Sequence, residues 1–239
     1  MSTSSDFSLA GATVLLCGAT GGLGRALANE LDMRGATVTA TGRDPVRLAS
    51  VPAGGGTLVA DLTEFDACEE AVELAAASTG GLDVLINAVG VVAFGAAAEM
   101  SPSTMREVLE ANTLIPMMLA RAALPQLRAG GAIVNLSGII AEPGRAMAGA
   151  STYAASKAAV RAFDEALARE ARRVKVRVID ARPPHTETGL AGRALAGQAP
   201  TLPRGLAPEA VAARICDALE QGERDLGSDA FSSAEGIAG

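Results

Sequence analysis

Hydrophobic residues recur along this chain in two alternating patterns. Short runs rich in Val, Ile, Leu and Thr are separated by longer stretches in which apolar residues repeat at helical spacing. Leu23, Leu27 and Leu31, for example, form one apolar stripe. The short runs predict six strands, at 12–17, 36–41, 56–60, 83–87, 132–137 and 174–181.

Helical patterns fill the stretches between these strands. They include 64–78, 102–127 and the alanine-rich 152–172, and Pro116 should interrupt the second of them. This alternation predicts an α/β fold with a doubly wound, Rossmann-like parallel sheet in three αβα layers and right-handed crossovers. We predict a single domain over residues 1–239.

Two segments follow neither pattern. Residues 184–205 are rich in Gly and Pro and predict a mobile substrate loop. Residues from about 226 to 239 are polar and glycine-rich, and predict a flexible C-terminal tail without a strong final strand.

Composition narrows the range of partners. The 239 residues are 49% hydrophobic but only 3% aromatic, and the net charge of −7 disfavours nucleic acid or an anionic membrane as a partner. Cys17, Cys68 and Cys216 form no CxxC pair, and with His185 as the only histidine no metal site is expected. Sparse cysteines, no recognisable signal peptide and no membrane-spanning run predict a cytoplasmic protein.

The glycines at 18, 22 and 24 follow the first strand and open the first helix. A pyrophosphate binds at a helix N-terminus, and side chains there would block its approach. The position predicts nucleotide binding, the alternative being a merely tight strand-to-helix turn.

The end of the second predicted strand indicates which nucleotide is bound. NAD-binding folds usually place an acid here, but this chain has Gly42 followed by Arg43. A guanidinium binds a 2′-phosphate, so we predict NADP(H) in preference to NAD(H). The alternative is that Arg43 is solvated and Asp44 turns inward.

Tyr153 is the only tyrosine, and Lys157 is one of only two lysines. Four residues apart on a helix, they project from one face. A nearby ammonium lowers the pKa of a phenol, which favours proton exchange with a carbonyl oxygen. The alternative is a surface packing pair.

With these features in place, the chain resembles the short-chain dehydrogenase/reductase family from residue 9 to about 220. The motifs that carry the resemblance are the glycine loop with Cys17 in place of the usual threonine, "ADL" at 60–62, "NAVG" at 87–90, "ANT" at 111–113, "YAASK" at 153–157 and "RPPHTET" at 182–188. The Tyr-x-x-x-Lys pair is the most specific of them.

The resemblance implies a role for each matching residue. Asp61 would accept from the adenine amino group, Asn87 would brace the sheet, and Lys157 would hold the nicotinamide ribose. The implied catalytic residues are Tyr153, Lys157, Asn112 and Ser137. The implied cofactor-binding residues are Gly18, Thr20, Gly22, Leu23, Gly24, Arg43, Asp61, Leu62, Asn87, Ala88, Gly90, Pro183 and Thr188.

The sequence departs from the family at the serine that hydrogen-bonds the substrate oxygen. Gly138 stands at the expected position and Ser137 precedes it. One step along a strand turns a side chain to the other face, so Ser137 either points away or is re-aimed by a bend at Gly138. Pro184 replaces a family glycine, and His185 beyond it is either a substrate contact or a solvent-facing loop residue.

Two functions of different class remain. The first is an NADP(H)-dependent oxidoreductase that interconverts a ketone or aldehyde with an alcohol, its small-molecule substrate lying against Val91, Val92, Phe94 and Leu190. The second, motivated by Gly138, is an NADP(H)-binding sensor or regulatory protein with weak or lost catalysis. By resemblance, a homodimer or homotetramer is expected.

Overall fold

The computed structural model describes residues 7–77 and 79–231 and has one seven-stranded parallel sheet at its centre. Across the sheet, the strands lie in the order β3-β2-β1-β4-β5-β6-β7. Their bounds are β1 (Thr13–Cys17), β2 (Thr37–Gly42), β3 (Gly56–Val59), β4 (Leu82–Asn87), β5 (Leu127–Leu136), β6 (Arg177–Ala181) and β7 (Asp225–Leu226). The predicted doubly wound α/β fold is confirmed.

Helices cover both faces of this sheet. They are α1 (Gly22–Met33), α2 (Pro45–Leu48), α3 (Phe65–Ala77), α4 (Pro102–Leu109), α5 (Ile115–Ala123), α6 (Ser151–Ala171) and α7 (Pro208–Glu220). The residues of β1 alternate between two buried clusters: Val14 and Leu16 pack with α1 and α7, whereas Leu15 and Cys17 pack with α3 and α5. Burial on both faces explains why the strands read as continuous apolar runs.

The predicted interruption at Pro116 is present. A π-helical turn, Glu110–Leu114, separates α4 from α5, and Pro116 lies in the first turn of α5, where proline removes one N–H from the helical hydrogen-bond ladder. The turn places Asn112 on the side of the chain that faces α6, to which its amide is bonded.

The predicted C-terminal tail is wrong for its first part. Leu226 pairs with Ala181 of β6 in the seventh strand, and the Phe231 ring is fully buried against the α1–α7 cluster. The sequence reading missed β7 because a two-residue strand has no periodicity to detect. The rest of the expected tail, residues 232–239, lies outside the described residues.

The sheet topology fixes where a ligand can bind. Strand order reverses between β1 and β4, so the segments that follow these two strands diverge and leave a crevice at their carboxyl ends. Cys17 pairs with Asn87 and Asn87 with Asn135, which brings three strand ends level at this edge. Among the described residues, no helix has the length and apolar character needed to cross a membrane.

Candidate active site

A cavity of about 250 Å³ lies at the carboxyl ends of the central strands. Its walls come from the start of α1, the segments that follow β4, β5 and β6, and the first turns of α6. Of the residues selected from the sequence, it is lined by Gly22, Leu23, Gly24, Ala88, Gly90, Ser137, Tyr153, Lys157, Pro183 and Thr188. Gly18, Thr20, Arg43, Asp61, Leu62, Asn87 and Asn112 lie outside this lining.

The glycine segment is shaped for close approach. Gly18 has φ +80°, and a Cβ on it would lie 2.8 Å from the main chain of Ala88 at the end of β4, so only glycine fits. Helix α1 follows Gly21 without a side-chain cap, and its first residues line the cavity. Uncapped N–H groups at such an end suit the pyrophosphate of a dinucleotide, so the residues present fit a nicotinamide cofactor.

The residues after β2 distinguish the two possibilities left open for Arg43 and Asp44. The Asp44 carboxylate caps α2, where Oδ1 accepts from the N–H groups of Val46 and Arg47 at 2.9 and 3.1 Å. It therefore does not turn inward. Arg43 is exposed at the edge where β2 ends.

Asp61 follows β3 beside this edge. Hydrogen bonds from the backbone and hydroxyl of Thr63 lower the pKa of the Asp61 carboxyl, and the Arg43 charge contributes to the same shift. Leu62 is buried, 5% exposed. Arg43, Asp61 and Leu62 thus lie where β2 and β3 end, outside the lining of the 250 Å³ cavity.

Asn87 joins the two central strands. Its Nδ2 donates to Asn135 Oδ1 on β5 at 3.4 Å, and its Oδ1 accepts from the Val89 N–H at 3.1 Å. These two contacts fix the turn by which the chain leaves β4. Ala88 and Gly90 in that turn then face the cavity.

Tyr153 and Lys157 lie together on the first turns of α6 and both line the cavity. Lys157 is 6% exposed, and its Nζ donates to the Leu136 carbonyl oxygen at 2.7 Å. The Tyr153 ring packs against an apolar cluster that includes Val92 and Phe94. The alternative of an exposed surface pair does not hold for these two side chains.

The pKa values of this pair differ from the expectation. Burial raises the pKa of Tyr153 to about 12. Burial lowers the pKa of Lys157 to about 8, although the Asp180 charge opposes that shift. The prediction that Lys157 lowers the pKa of Tyr153 is therefore wrong for this geometry, since desolvation of the phenol dominates.

Asn112 is fully buried in the π-helical turn and holds three elements together. Its Oδ1 accepts from the Val91 N–H at 2.8 Å, and its Nδ2 donates to the Val91 carbonyl at 2.9 Å and to Ser156 Oγ on α6 at 2.9 Å. A Cβ on Gly90 would lie 3.4 Å from both Asn112 Oδ1 and Lys157 Nζ, which places the amide beside the ammonium.

Ser137 does not fit the predicted role of donor to a substrate oxygen. Its hydroxyl is fully buried and donates to the Asp180 carboxylate on β6. Asn135, two residues earlier on the same face of β5, donates to Asp164 of α6 at 2.6 Å, so this face of β5 is turned toward α6. Gly138, at the expected position, has φ +80° and ψ 164°, a conformation open essentially to glycine alone.

The segment 184–205 forms one side of the cavity. Its only regular structure is a short 3₁₀ turn, Ala191–Arg193, and an isolated bridge joins Thr186 to Leu206. A Cβ on Gly22 would lie 2.6 Å from the Thr188 carbonyl oxygen, so this segment lies directly on the glycine loop. Of the expected substrate contacts, Val92, Phe94 and Leu190 line the cavity and Val91 does not.

Three charged residues near the site were missed by the sequence reading. Arg193 lines the cavity, Arg47 donates to the Thr20 carbonyl at 2.5 Å, and Asp180 holds Ser137. Arg47 is a second arginine four residues after Arg43, in the short helix α2. Arg193 and Asp180 carry no local signal, because their positions depend on the loop path and on strand pairing.

Comparisons with known proteins agree with this geometry. A family model described as "short chain dehydrogenase" matches residues 12–199. A short-chain dehydrogenase of Pseudocercospora fijiensis is 32% identical over 174 residues, which cover 68% of this chain and 55% of the relative. A 3-oxoacyl-[acyl-carrier-protein] reductase of Haemophilus influenzae is 30% identical over 177 residues, which cover 71% of this chain and 72% of the relative.

Solved structures show the same fold. A short-chain dehydrogenase from Burkholderia cenocepacia, in complex with NADP, superposes with a TM-score of 0.80 at 25% identity, covering 93% of this chain and 97% of the other. A dehydrogenase/reductase from Sinorhizobium meliloti superposes with a TM-score of 0.80 at 26% identity, covering 92% and 94%.

Proposed function

The chain belongs to the short-chain dehydrogenase/reductase family, and from that premise we propose that it is an NADP(H)-dependent oxidoreductase that interconverts a ketone or aldehyde with an alcohol. The observation that carries the proposal is that Tyr153, Lys157 and the uncapped start of α1 share one cavity. A proton donor thus lies within the same enclosure as a site suited to a dinucleotide.

The chemistry divides between the cofactor and the chain. When bound, the nicotinamide supplies the hydride. Tyr153 donates a proton to the carbonyl oxygen as the hydride arrives at its carbon, and accepts one in the reverse direction. Because Lys157 uses one N–H on Leu136, its other donors remain to hold the nicotinamide ribose.

The remaining selected residues hold this arrangement. Asn112 fixes the turn after β4 against α6, and so positions Lys157 relative to Gly90. Gly18, Thr20, Gly22, Leu23 and Gly24 would surround the pyrophosphate, and Thr188 and Pro183 would close over the nicotinamide. Asn87 and Ala88 would line the path between them.

The preference for NADP(H) over NAD(H) rests on Arg43. No acid occupies the end of β2, and Asp44 is bound to the start of α2. The exposed Arg43 and the nearby Arg47 offer two guanidinium groups to a 2′-phosphate, and Asp61 with Leu62 would border the adenine. The complex of the Burkholderia relative with NADP is consistent with this choice.

The cavity favours an apolar carbonyl compound of small to medium size. Its substrate side is built from aliphatic and aromatic side chains, with segment 184–205, which we expect to be mobile, as one wall. These side chains are Val92, Phe94, Ile140, Met147, Leu190 and Leu202.

The proposal also includes assembly into a homo-oligomer and a cytoplasmic location. The exposed face of α6 carries Ala155, Ala158, Ala162 and Ala166, small residues that permit close helix contact in a homodimer or homotetramer. Light scattering after size-exclusion chromatography tests this. Cys17, Cys68 and Cys216 are buried thiols, which suits the reducing cytoplasm.

The test of the activity is oxidation of NADPH, followed by nicotinamide absorbance, with acetophenone, cyclohexanone, ethyl acetoacetate and octanal as carbonyl probes. One other candidate is an NADP(H)-binding sensor. It is favoured because the Ser137 hydroxyl is bonded to Asp180 and Gly138 has no side chain to bind a substrate oxygen. NADPH binding without turnover of any probe would support the sensor.

A further inference from the structure

Reduction of a carbonyl places negative charge on its oxygen, which has two lone pairs to be satisfied. Tyr153 accounts for one hydrogen bond to that oxygen in the proposed function. A second preorganised donor stabilises the developing charge and is worth about 10²–10³ in kcat where it has been removed from other enzymes. The candidates for this donor are the polar groups of the cavity lining.

The hydroxyl groups beside Gly138 are already committed. Ser137 donates to Asp180. Thr186 lines the cavity, but its Oγ1 donates to the Pro184 carbonyl at 2.9 Å. The Gly138 N–H donates to the Ala181 carbonyl at 3.2 Å, so the backbone at the bare position offers no donor either.

The cations of the lining are also placed for other contacts. Lys157 is bonded to Leu136 and faces Asn112 and Gly90, where a ribose is expected. Arg193 is exposed, and its guanidinium lies 3.5 Å from the carbonyl of Thr188, the residue packed on the glycine loop. Both belong to the cofactor end of the cavity.

Of the other polar side chains in the lining, Thr188 packs on the glycine loop, whereas the chain path brings His185 to the substrate end. The Ile139 N–H donates to the Pro183 carbonyl at 3.0 Å, and that carbonyl lies 3.8 Å from where a Cβ of Gly138 would be. The segment leaving β6 therefore runs alongside the bare position. Two residues later, His185 lines the same cavity as Tyr153 and Gly138, with its side chain 32% exposed.

Contacts to the ring and to the main chain hold His185 in place. Its Nε2 lies 3.5 Å from Glu187 Oε1, and that carboxylate oxygen accepts the Gly205 N–H at 2.7 Å. The Leu206 N–H donates to the His185 carbonyl at 2.8 Å. A Cβ on Gly205 would lie 2.7 Å from His185 Cδ2, so the glycine makes room for the ring.

The other ring nitrogen, Nδ1, has no hydrogen-bond partner within the described ranges. Nδ1 can therefore donate to a substrate while Nε2 faces Glu187. On the premise of the proposed function, we propose that His185 is the second hydrogen-bond donor to the substrate carbonyl oxygen and that Glu187 orients it. The proton transferred to that oxygen still comes from Tyr153.

The experiment compares the native chain with His185→Leu, His185→Gln and Glu187→Gln, and uses Glu209→Gln, an exposed residue at the start of α7, as the matched charge control. Turnover is measured with the four carbonyl probes named above, and NADPH affinity by nucleotide fluorescence. His185→Leu should lower kcat by about 10²-fold with unchanged NADPH affinity. His185→Gln, which keeps an N–H donor, should recover part of that loss. The kcat of Glu187→Gln should lie between those of the native chain and His185→Leu.

A second measurement separates this inference from the proposed function. His185 is the only histidine, so its Cε1–H gives one assignable NMR resonance. With NADP⁺ saturating, each carbonyl probe is added to the native chain. A shift that requires the carbonyl supports contact with His185 even if no probe is reduced, in which case the oxidoreductase proposal fails alone.

Two results would overturn the inference. One is turnover by His185→Leu at the native kcat. The other is a histidine resonance that no carbonyl probe moves while NADP⁺ is bound.

Discussion

Lys157 Nζ donates a hydrogen bond of 2.7 Å to the Leu136 carbonyl oxygen at the end of β5. The ammonium is thus removed from water and contacts a neutral partner, and Asp180 is the charge that opposes its loss of a proton. Burial lowers the pKa of Lys157 to about 8 as a result.

This shift makes the stability of the fold depend on pH in a defined window. The unfolded chain binds the Lys157 proton more tightly between pH 8 and pH 10.5, so stability rises with pH across that window and is lost as pH falls through it. The free energy of unfolding changes by about 3 kcal/mol in total across this window. The free energies of unfolding of the native chain and Lys157→Met, measured in urea, should therefore differ by an amount that changes by about 3 kcal/mol across this window.

Lys175→Met is the matched control, because Lys175 is the other lysine and is exposed. It removes an ammonium that the fold leaves in solvent. A constant difference between native and Lys157→Met from neutral to alkaline pH would contradict the lowered pKa.

Tyr153 gives a direct optical titration, since it is the only tyrosine and the chain has no tryptophan. Phenolate absorbance should appear with a midpoint near pH 12 in the folded chain without nucleotide, because burial raises the pKa. The associated stability is present below pH 10 and lost as pH rises toward 12. Tyr153→Phe supplies the blank, and a midpoint below 10 would restore the expectation that Lys157 lowers this pKa.

Ser137→Ala separates a structural serine from a catalytic one. Its hydroxyl donates to the buried Asp180, so its removal should cost about 1–3 kcal/mol of unfolding free energy while kcat changes little. Urea unfolding and steady-state kinetics measure the two effects. The exposed Ser103→Ala should change neither. A large fall in kcat at unchanged stability would return Ser137 to the catalytic set.

Arg43→Ala tests the choice of nucleotide. Loss of one charge-assisted hydrogen bond to a 2′-phosphate, worth about 1.5–3 kcal/mol, should weaken NADPH binding by about 10- to 100-fold and leave NADH binding unchanged. Nucleotide fluorescence titrations measure both affinities. Arg106→Ala on the exposed side of α4 is the control. Equal losses for the two nucleotides would contradict a 2′-phosphate contact.

Much of the fold could be predicted because both sheet faces are buried. Six strands were expected, and each overlaps an observed strand, with the earlier start of β5 at Leu127 as the largest displacement. That start lies before Gly130 and Gly131, and two adjacent glycines favour the end of a strand rather than its interior. β7 was missed because its position depends on contacts made far along the chain, such as the ion pair between Arg182 and Asp225 at 2.8 Å.

The same distinction applies to the candidate site, where local spacing predicts some features and the tertiary fold decides the others. Helical periodicity alone brings Tyr153 and Lys157 to one face, and the cavity contains both. The partner of Ser137 could not be predicted, because it requires the register by which Leu136 of β5 pairs with Ala181 of β6. The pKa of Tyr153 was misjudged for a related reason, since sequence spacing shows a neighbouring charge but not the desolvation.

The central claim is that Tyr153 donates the proton in carbonyl reduction, and the most direct measurement is NADPH oxidation by native chain and Tyr153→Phe with the same carbonyl probes. We expect native turnover and a loss of about 10²–10⁴-fold in kcat for Tyr153→Phe, with NADPH affinity unchanged. Turnover by Tyr153→Phe at the native rate would contradict the account.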